Sequence, residues 1–210
     1  MTLADMARPP ADDPAPAVPS RRRGRRLLVA ASIVLLLIAG GTIAASYYYD
    51  SVPLVESTVP YPVVTVAELS PATVHAFVAA VDPDFYESGD SLITRRYTVL
   101  AAGTGEESSL RTRIAARKAE AEYTKDEILG RYLNRADFAR GAVGLVAAAQ
   151  TFFQKPAAQL TLAEAALLAE QLDPYLAEPE AGWDHVLDTM VEQGWLTQAE
   201  RSSLTYPPGF

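Results

Sequence analysis

Side chains able to do chemistry are sparse in this chain and gather in a few short stretches. Asp82, Asp84 and Glu87 surround Phe85 and Tyr86, and Glu106 and Glu107 follow downstream. Carboxyls beside apolar groups are what proteins tune into general acids and bases. Asp84 or Glu87 as base, assisted by Glu106 or Glu107, is therefore the acid–base pairing open to this chain. Arg95 and Arg96 could meet a pyrophosphate or anionic lipid headgroups, or stand as solvated surface arginines. The chain has no Cys, which excludes disulfides, thiolate metal ligands and a Cys nucleophile. Its two histidines, His75 and His185, are too far apart in sequence to suggest a His-rich metal site or a His dyad, and both read as ordinary helix residues.

These residues must be positioned by elements that the rest of the sequence defines. Residues 1–26 carry six Arg against three Asp, so residues 27–210 hold a net charge of −11 within a chain total of −8. An acidic bulk of that size is a poor nucleic-acid binder, because phosphates demand a basic surface. Residues 1–20 mix Pro, Ala and Asp without apolar periodicity and are expected to form a disordered tail ending near residue 26. Residues 27–49 contain no charge, and at helical rise they reach roughly 34 Å, enough to cross a hydrocarbon core of roughly 30 Å. Arg21, Arg22, Arg23, Arg25 and Arg26 before this run and Asp50 after it predict a cytoplasmic N-terminus and an extracytoplasmic remainder. A cleavable signal peptide with small residues at Ala44–Ser46 competes with this reading, but the long apolar run and long preceding tail favour an anchor.

Pro53, Pro60 and Pro62 make residues 50–69 an expected extended stalk, with at most one strand over Val63–Val66. Beyond it the punctuation is helical. Ser70-Pro71 offers an N-cap and a first-turn proline. Thr124–Glu127, Thr161–Glu164 and Thr197–Glu200 each spell a capping box, in which a Thr hydroxyl and a Glu carboxylate satisfy orphan backbone donors reciprocally. Apolar stripes at Ile128, Leu129, Tyr132 and Leu133, at Leu162, Ala165, Ala166 and Ala169, and at Val186, Leu187, Met190 and Val191 repeat with helical spacing. The expected architecture is mainly α: one N-terminal transmembrane helix, then a small all-α domain over residues 70–205. Trp183 and Trp195 read as packing anchors of its last helix.

The stretch Tyr123–Gln171 (YTKDEILGRYLNRADFARGAVGLVAAAQTFFQKPAAQLTLAEAALLAEQ) resembles the peptidoglycan glycosyltransferase domain, glycosyltransferase family 51, which is the transglycosylase domain of class A penicillin-binding proteins. His185–Glu200 resembles the helix pair that ends that domain. Ala80–Glu87 and Ser91–Arg96 resemble eroded copies of its first two motifs. The resemblance implies a lysozyme-like α fold that polymerises a lipid-linked disaccharide at the membrane. It also implies a glutamate base that activates the acceptor hydroxyl, and a second glutamate, cations and a divalent metal at the pyrophosphate. No S-x-x-K and no K-T-G occurs, so a serine transpeptidase site is not expected.

The resemblance places specific residues. The first motif, E-D-x-x-F, falls on Val81–Phe85: Asp82 and Phe85 match, while the base position is Val81, which cannot accept a proton. The second, G-S-T-x-T-Q-Q-x-x-K, keeps Ser91 and Thr94, turns both glutamines into Arg95 and Arg96, and turns its lysine into Val99. The third, R-K-x-x-E, counted back without gaps from Tyr123, puts Thr112 at the second glutamate; with three residues deleted inside the helix, Arg111 starts the motif and Ala115 takes that position, and neither register supplies a carboxylate. Arg117-Lys118-Ala119-Glu120 looks like a displaced copy, with an exposed, solvated helix face as the plainer reading. In the fourth motif Asn134, Gly141 and Gly144 match, and a glutamate is replaced by Gly130. The residual cleft expected from this reading is Asp82, Phe85, Ser91, Thr94, Arg95, Arg96 and Asn134, with no catalytic residue, no metal and no cofactor. A general base contributes about 10²–10⁴ in rate, so losing it together with the second carboxylate and the cations should abolish turnover. The expectation is a membrane-anchored, catalytically inactive relative that binds a cell-wall synthase or the lipid-linked precursor. The alternatives are an active enzyme with the relocated acids named above, and a glycan hydrolase using a carboxyl near Phe85 and Tyr86.

Overall fold

In the computed structural model the described residues are 21–55, 59–103, 105–172 and 179–208. The expected tail over residues 1–20 lies outside them, as does the stretch 173–178. The chain divides into two units, the first ending at Asp50 and the second running from Ser51 to Phe210.

Among the described residues the first unit is one helix, α1 (Arg21–Ser51), whose uncharged run over residues 27–49 is exposed. It extends beyond the apolar run at both ends, because Arg has good helix propensity and continues the helix past the hydrocarbon-length segment. The hydroxyl of Thr42 donates to the Ala39 carbonyl at 2.9 Å, so α1 satisfies that polar group within itself.

The second unit is all-α, with no strand among the described residues beyond a single bridge, Asp137 to Val143. Six of its described helices start at a side-chain cap that the sequence supplies. Helix α2 (Pro71–Val81) begins at Ser70, whose Oγ accepts the Thr73 N–H at 3.1 Å. Helices α3 (Leu92–Ala102) and α4 (Leu110–Glu122) begin at Ser91 and Ser109 in the same way. The three capping boxes open α5 (Lys125–Leu133), α7 (Leu162–Glu170) and α9 (Gln198–Ser203). Helix α6 (Leu145–Phe153) starts instead at Gly144, where a φ of +86° and the approach of the Asn134 carbonyl leave no room for a side chain: a Cβ there would lie 2.8 Å from that oxygen. Helix α8 (Pro179–Glu192) stops before Gly194.

Packing groups these helices into two triads. Helix α2, almost wholly buried, contacts α7 and α8, which also contact each other, while α3 packs on α4 and α5. One continuous apolar cluster runs through both groups, with Phe77 meeting Phe138 edge to face at 6.1 Å. Trp183 packs in this core and donates its indole N–H to the Ala163 carbonyl at 2.9 Å, and the His75 ring stacks on Trp195 at 4.5 Å.

Residues 50–69 contribute to that core. Val52, Val55, Val64 and Leu69 are buried in it. No strand forms over Val63–Val66; Val66–Glu68 is a 3₁₀ turn opened by a fourth capping box, Thr65 with Glu68. Side-chain capping of the backbone there outcompetes the β preference of the valines.

Candidate functional site

The positions singled out in the first two motifs sit at the junction of α2 and α3. Val81 is buried at the end of α2, with no polar atom to offer. Asp82 caps α2, and its carboxylate accepts the Leu92 N–H at 2.7 Å. That places an anion at the N-terminus of α3, where the exposed N–H groups and helix dipole stabilise it. Asp82 thereby ties shut the short connection between the two helices. Phe85 is fully buried beneath that connection, and Ser91 is the N-cap of α3, its Oγ accepting the Thr94 N–H at 3.3 Å.

Thr94 leads to a group that sequence reasoning missed. Its hydroxyl donates to Glu120 at 2.8 Å, Glu120 pairs with Lys125 at 3.0 Å, and Lys125 also donates to the Ser88 carbonyl at 2.7 Å. The Lys125 ammonium stands 4.7 Å from the centre of the Phe85 ring. Arg117-Lys118-Ala119-Glu120 is thus no uniformly solvated face. Arg117 is exposed, but Ala119 is buried, Lys118 donates to the Val52 carbonyl at 2.6 Å, and Glu120 is mostly covered. The Glu120–Lys125 pair spans the break between α4 and α5, so no i,i+4 charge pattern announces it.

The arginines are neither free nor plainly solvated. The Arg95 side chain is 25% exposed and lies 3.5 Å from Asp90, which Arg113 also approaches at 3.5 Å. The Arg96 side chain is 12% exposed; it donates to Glu107 at 3.1 Å and to the Leu172 carbonyl at 2.9 Å. Each has an internal counter-ion or acceptor, and Arg96 staples α3 to the end of α7.

Thr112 is buried in the first turn of α4. Its N–H donates to Ser109 Oγ at 3.1 Å, and its hydroxyl donates to the Glu106 carbonyl at 2.9 Å. Ser109 is the cap of α4, and Thr112 is a buried residue turned to the loop before the helix. Asn134 is equally structural: its amide accepts the Val64 N–H at 3.0 Å and donates to the Val64 carbonyl at 2.8 Å, a two-point strap across the segment before α2. The Tyr61 hydroxyl adds a bond to the Asn134 carbonyl at 3.0 Å.

The candidate residues are therefore not gathered in one cleft among the described residues. Asn134 lines a cavity of about 610 Å³ between residues 59–67 and α5, with Val59, Tyr61, Val63 and Val66 as its apolar wall. Arg96 lines a different cavity of about 260 Å³ with Glu107, Tyr132 and Gln171. Of the relocated-acid candidates, Asp84, Glu87 and Glu106 are exposed, and Glu107 is engaged by Arg96. No group of three or more His, Cys, Asp or Glu side chains is arranged to hold a metal ion among the described residues.

Glu170 is the second residue that the sequence hid. It lies at the end of α7 and is 4% exposed; one carboxyl oxygen accepts from Gln171 at 3.0 Å, and the other closes no hydrogen bond of good geometry, although the Trp183 backbone lies near enough to act on the carboxyl. Burial pushes its pKa up to about 7 against a weaker opposing pull from Gln171 and the Trp183 backbone.

The Transglycosylase family profile matches residues 70–190. Penicillin-binding protein 1A of Mycolicibacterium smegmatis is 38% identical over 136 residues, which cover 57% of this chain and 17% of that protein. Penicillin-binding protein 1A of Mycobacterium tuberculosis is 39% identical over 135 residues, covering 57% and 16%. The biosynthetic peptidoglycan transglycosylase of Klebsiella oxytoca is 53% identical over 53 residues, covering 25% and 22%. The chain thus spans about a sixth of the two mycobacterial relatives.

Proposed function

Starting from the fact that the chain belongs to the transglycosylase family, we propose that it is a membrane-anchored, catalytically inactive member that takes part in peptidoglycan assembly by binding a cell-wall synthase or the lipid-linked precursor. The observation that carries this reading is the identity and setting of the two positions where the family's glutamates belong. Val81 is an aliphatic side chain closed into the core, and Thr112 is a buried side chain whose hydroxyl donates to the Glu106 carbonyl. Neither can take a proton from a sugar hydroxyl.

Three further features support it. The short α2–α3 connection is sealed by Asp82. The arginines that replace the second motif's glutamines are held by internal partners. The helix caps and the Asn134 strap, which serve the scaffold, are intact. A scaffold retained without its acids suits a binding role, with the N-terminus cytoplasmic and the helical domain outside, as the arginine cluster at the start of α1 favours.

The test uses the full-length chain in detergent micelles. A fluorescent analogue of the lipid-linked disaccharide pyrophosphate and an active synthase are offered separately. Saturable binding of the analogue or specific co-purification with the synthase, with no glycan formed by the chain itself, is the expected result. Binding neither would reject the reading, as would polymer made by this chain and lost on Glu87→Gln or Asp84→Asn.

A further inference from the structure

We propose that the outward face of α4 is a docking surface for the anionic lipid headgroups of the bilayer that α1 anchors. Leu110, Arg111, Arg113, Arg117 and Ala121 are all exposed on this helix, Leu110 by 63%, with Ile114 half-buried among them. At about 100° per residue, Leu110, Ile114, Arg117 and Ala121 fall within a sector of about 60°, flanked by Arg113 on one side and Arg111 on the other. An apolar strip bordered by arginines is the pattern of a helix lying at a lipid–water boundary.

The charges on this face are poorly explained by the fold. Among the described residues Arg111 and Arg117 have neither an ion pair nor a hydrogen bond, and Arg113 has only the exposed contact with Asp90. Arg111 lies in the first turn of α4 with Arg113 just beyond it, and that turn holds no acidic residue. Cations at that end oppose the helix dipole. No acidic side chain stands on α4 before Glu120, whereas residues 27–210 as a whole carry −11. An exposed cationic strip on an acidic protein is complementary to an anionic surface, and the same surface repels α8, which exposes Asp188 and Glu192.

Chain connectivity supplies the place. Helix α1 ends at Ser51, and Val52, the next residue, is held through its carbonyl by Lys118 of α4 at 2.6 Å. Three residues on, the Val55 carbonyl accepts from Tyr97 at 3.1 Å and Tyr123 at 3.4 Å. The first residues of the second unit, which follow α1 directly in the chain, are thus fastened to α4 and its neighbours.

The absence of native cysteine makes the test direct. A single Ser108→Cys carries a fluorophore in the turn just before α4, and Glu192→Cys on α8 is the control. The full-length chain is reconstituted in vesicles of phosphatidylcholine, with or without about one-third phosphatidylglycerol, each containing a headgroup-quencher lipid. The expected result is quenching at residue 108 that is several-fold stronger in anionic than in neutral vesicles and absent at residue 192. The triple change Arg111→Gln, Arg113→Gln and Arg117→Gln should lower the docking equilibrium by about a hundredfold, while the corresponding triple change to Lys should retain it. Equal quenching in neutral and anionic vesicles overturns the proposal, and so does a Lys variant that behaves like the Gln variant. Quenching at residue 108 no stronger than at residue 192 also overturns it, and leaves the strip to a protein partner.

Discussion

Replacing Glu170 with Gln should make the protein more stable at alkaline pH and leave it nearly unchanged at acid pH. The Glu170 carboxyl is closed off from solvent with one oxygen closing no hydrogen bond of good geometry, and its pKa is raised from 4.5 to about 7. The folded state therefore holds the proton more tightly than the unfolded state. As pH rises through the interval from about 4.5 to about 7, the unfolded chain has already released this proton and the folded chain has not, so stability falls. With one pKa unit worth 1.36 kcal/mol, the loss between pH 5 and pH 8 is about 2.5 kcal/mol, or about 5–10 °C in Tm for a unit of this size. Gln keeps the acceptor that Gln171 uses but carries no charge. The difference in stability between Glu170→Gln and the parent should therefore grow by that amount from pH 5 to pH 8.

Other groups titrate nearby, and the comparison cancels them. Burial lowers the pKa of His75, which makes the parent more stable as pH rises toward 6.5, the opposite sense. Glu68 and Glu127 are held below the usual carboxylate range by the Thr65 and Thr124 backbone N–H groups and hydroxyls; their contribution disappears only as pH falls below about 4.5. Denaturant titrations of the full-length chain in neutral micelles, followed by the fluorescence of Trp183 and Trp195, give the required numbers. A Glu170→Gln gain that is absent at pH 8, or equal at pH 5 and pH 8, would refute the assignment of a buried, unpaired carboxyl.

Other substitutions test individual parts of the framework. Asn134→Ala removes both bonds to Val64 and strands that backbone, and should cost about 2–4 kcal/mol in equilibrium unfolding. Ala139 adopts a φ of +64°, a conformation L-residues disfavour, so Ala139→Gly should raise stability by about 1 kcal/mol in the same experiment. Gly144→Ala combines a φ of +86° with a 2.8 Å approach to the Asn134 carbonyl, and should lower Tm by at least several degrees. Val81→Glu should create no glycan-polymerising activity, because the new carboxylate would be buried without a partner, and it should destabilise the fold by about 3 kcal/mol or more.

Much of the scaffold was legible because caps act locally. Ser70 before Pro71 and the three Thr-x-x-Glu boxes each mark a helix start within a few residues, and the structure opens helices at all four. The same pattern at Thr65–Glu68 was hidden among β-branched valines and governs only a 3₁₀ turn. What resisted reading was long-range. Nothing near Asn134 in sequence says that its amide will grip Val64 seventy residues earlier, or that Arg96 will reach the Leu172 carbonyl. Glu170 closes an Ala- and Leu-rich helix where a carboxyl would ordinarily face water, and only the packing of α7 against α2 and α8 buries it. Val81 and Thr112 could be placed from the family's motif spacing, while their roles, core filler and a tie to the Glu106 carbonyl, needed coordinates.

The claim that the chemistry has left this scaffold is tested most directly by incubating the full-length protein in micelles with radiolabelled lipid-linked disaccharide precursor and resolving the glycan products, with an active synthase run in parallel. The synthase reaction should yield polymer, and the reaction with this chain should leave the precursor unchanged. Glycan strands formed by this chain alone would contradict it.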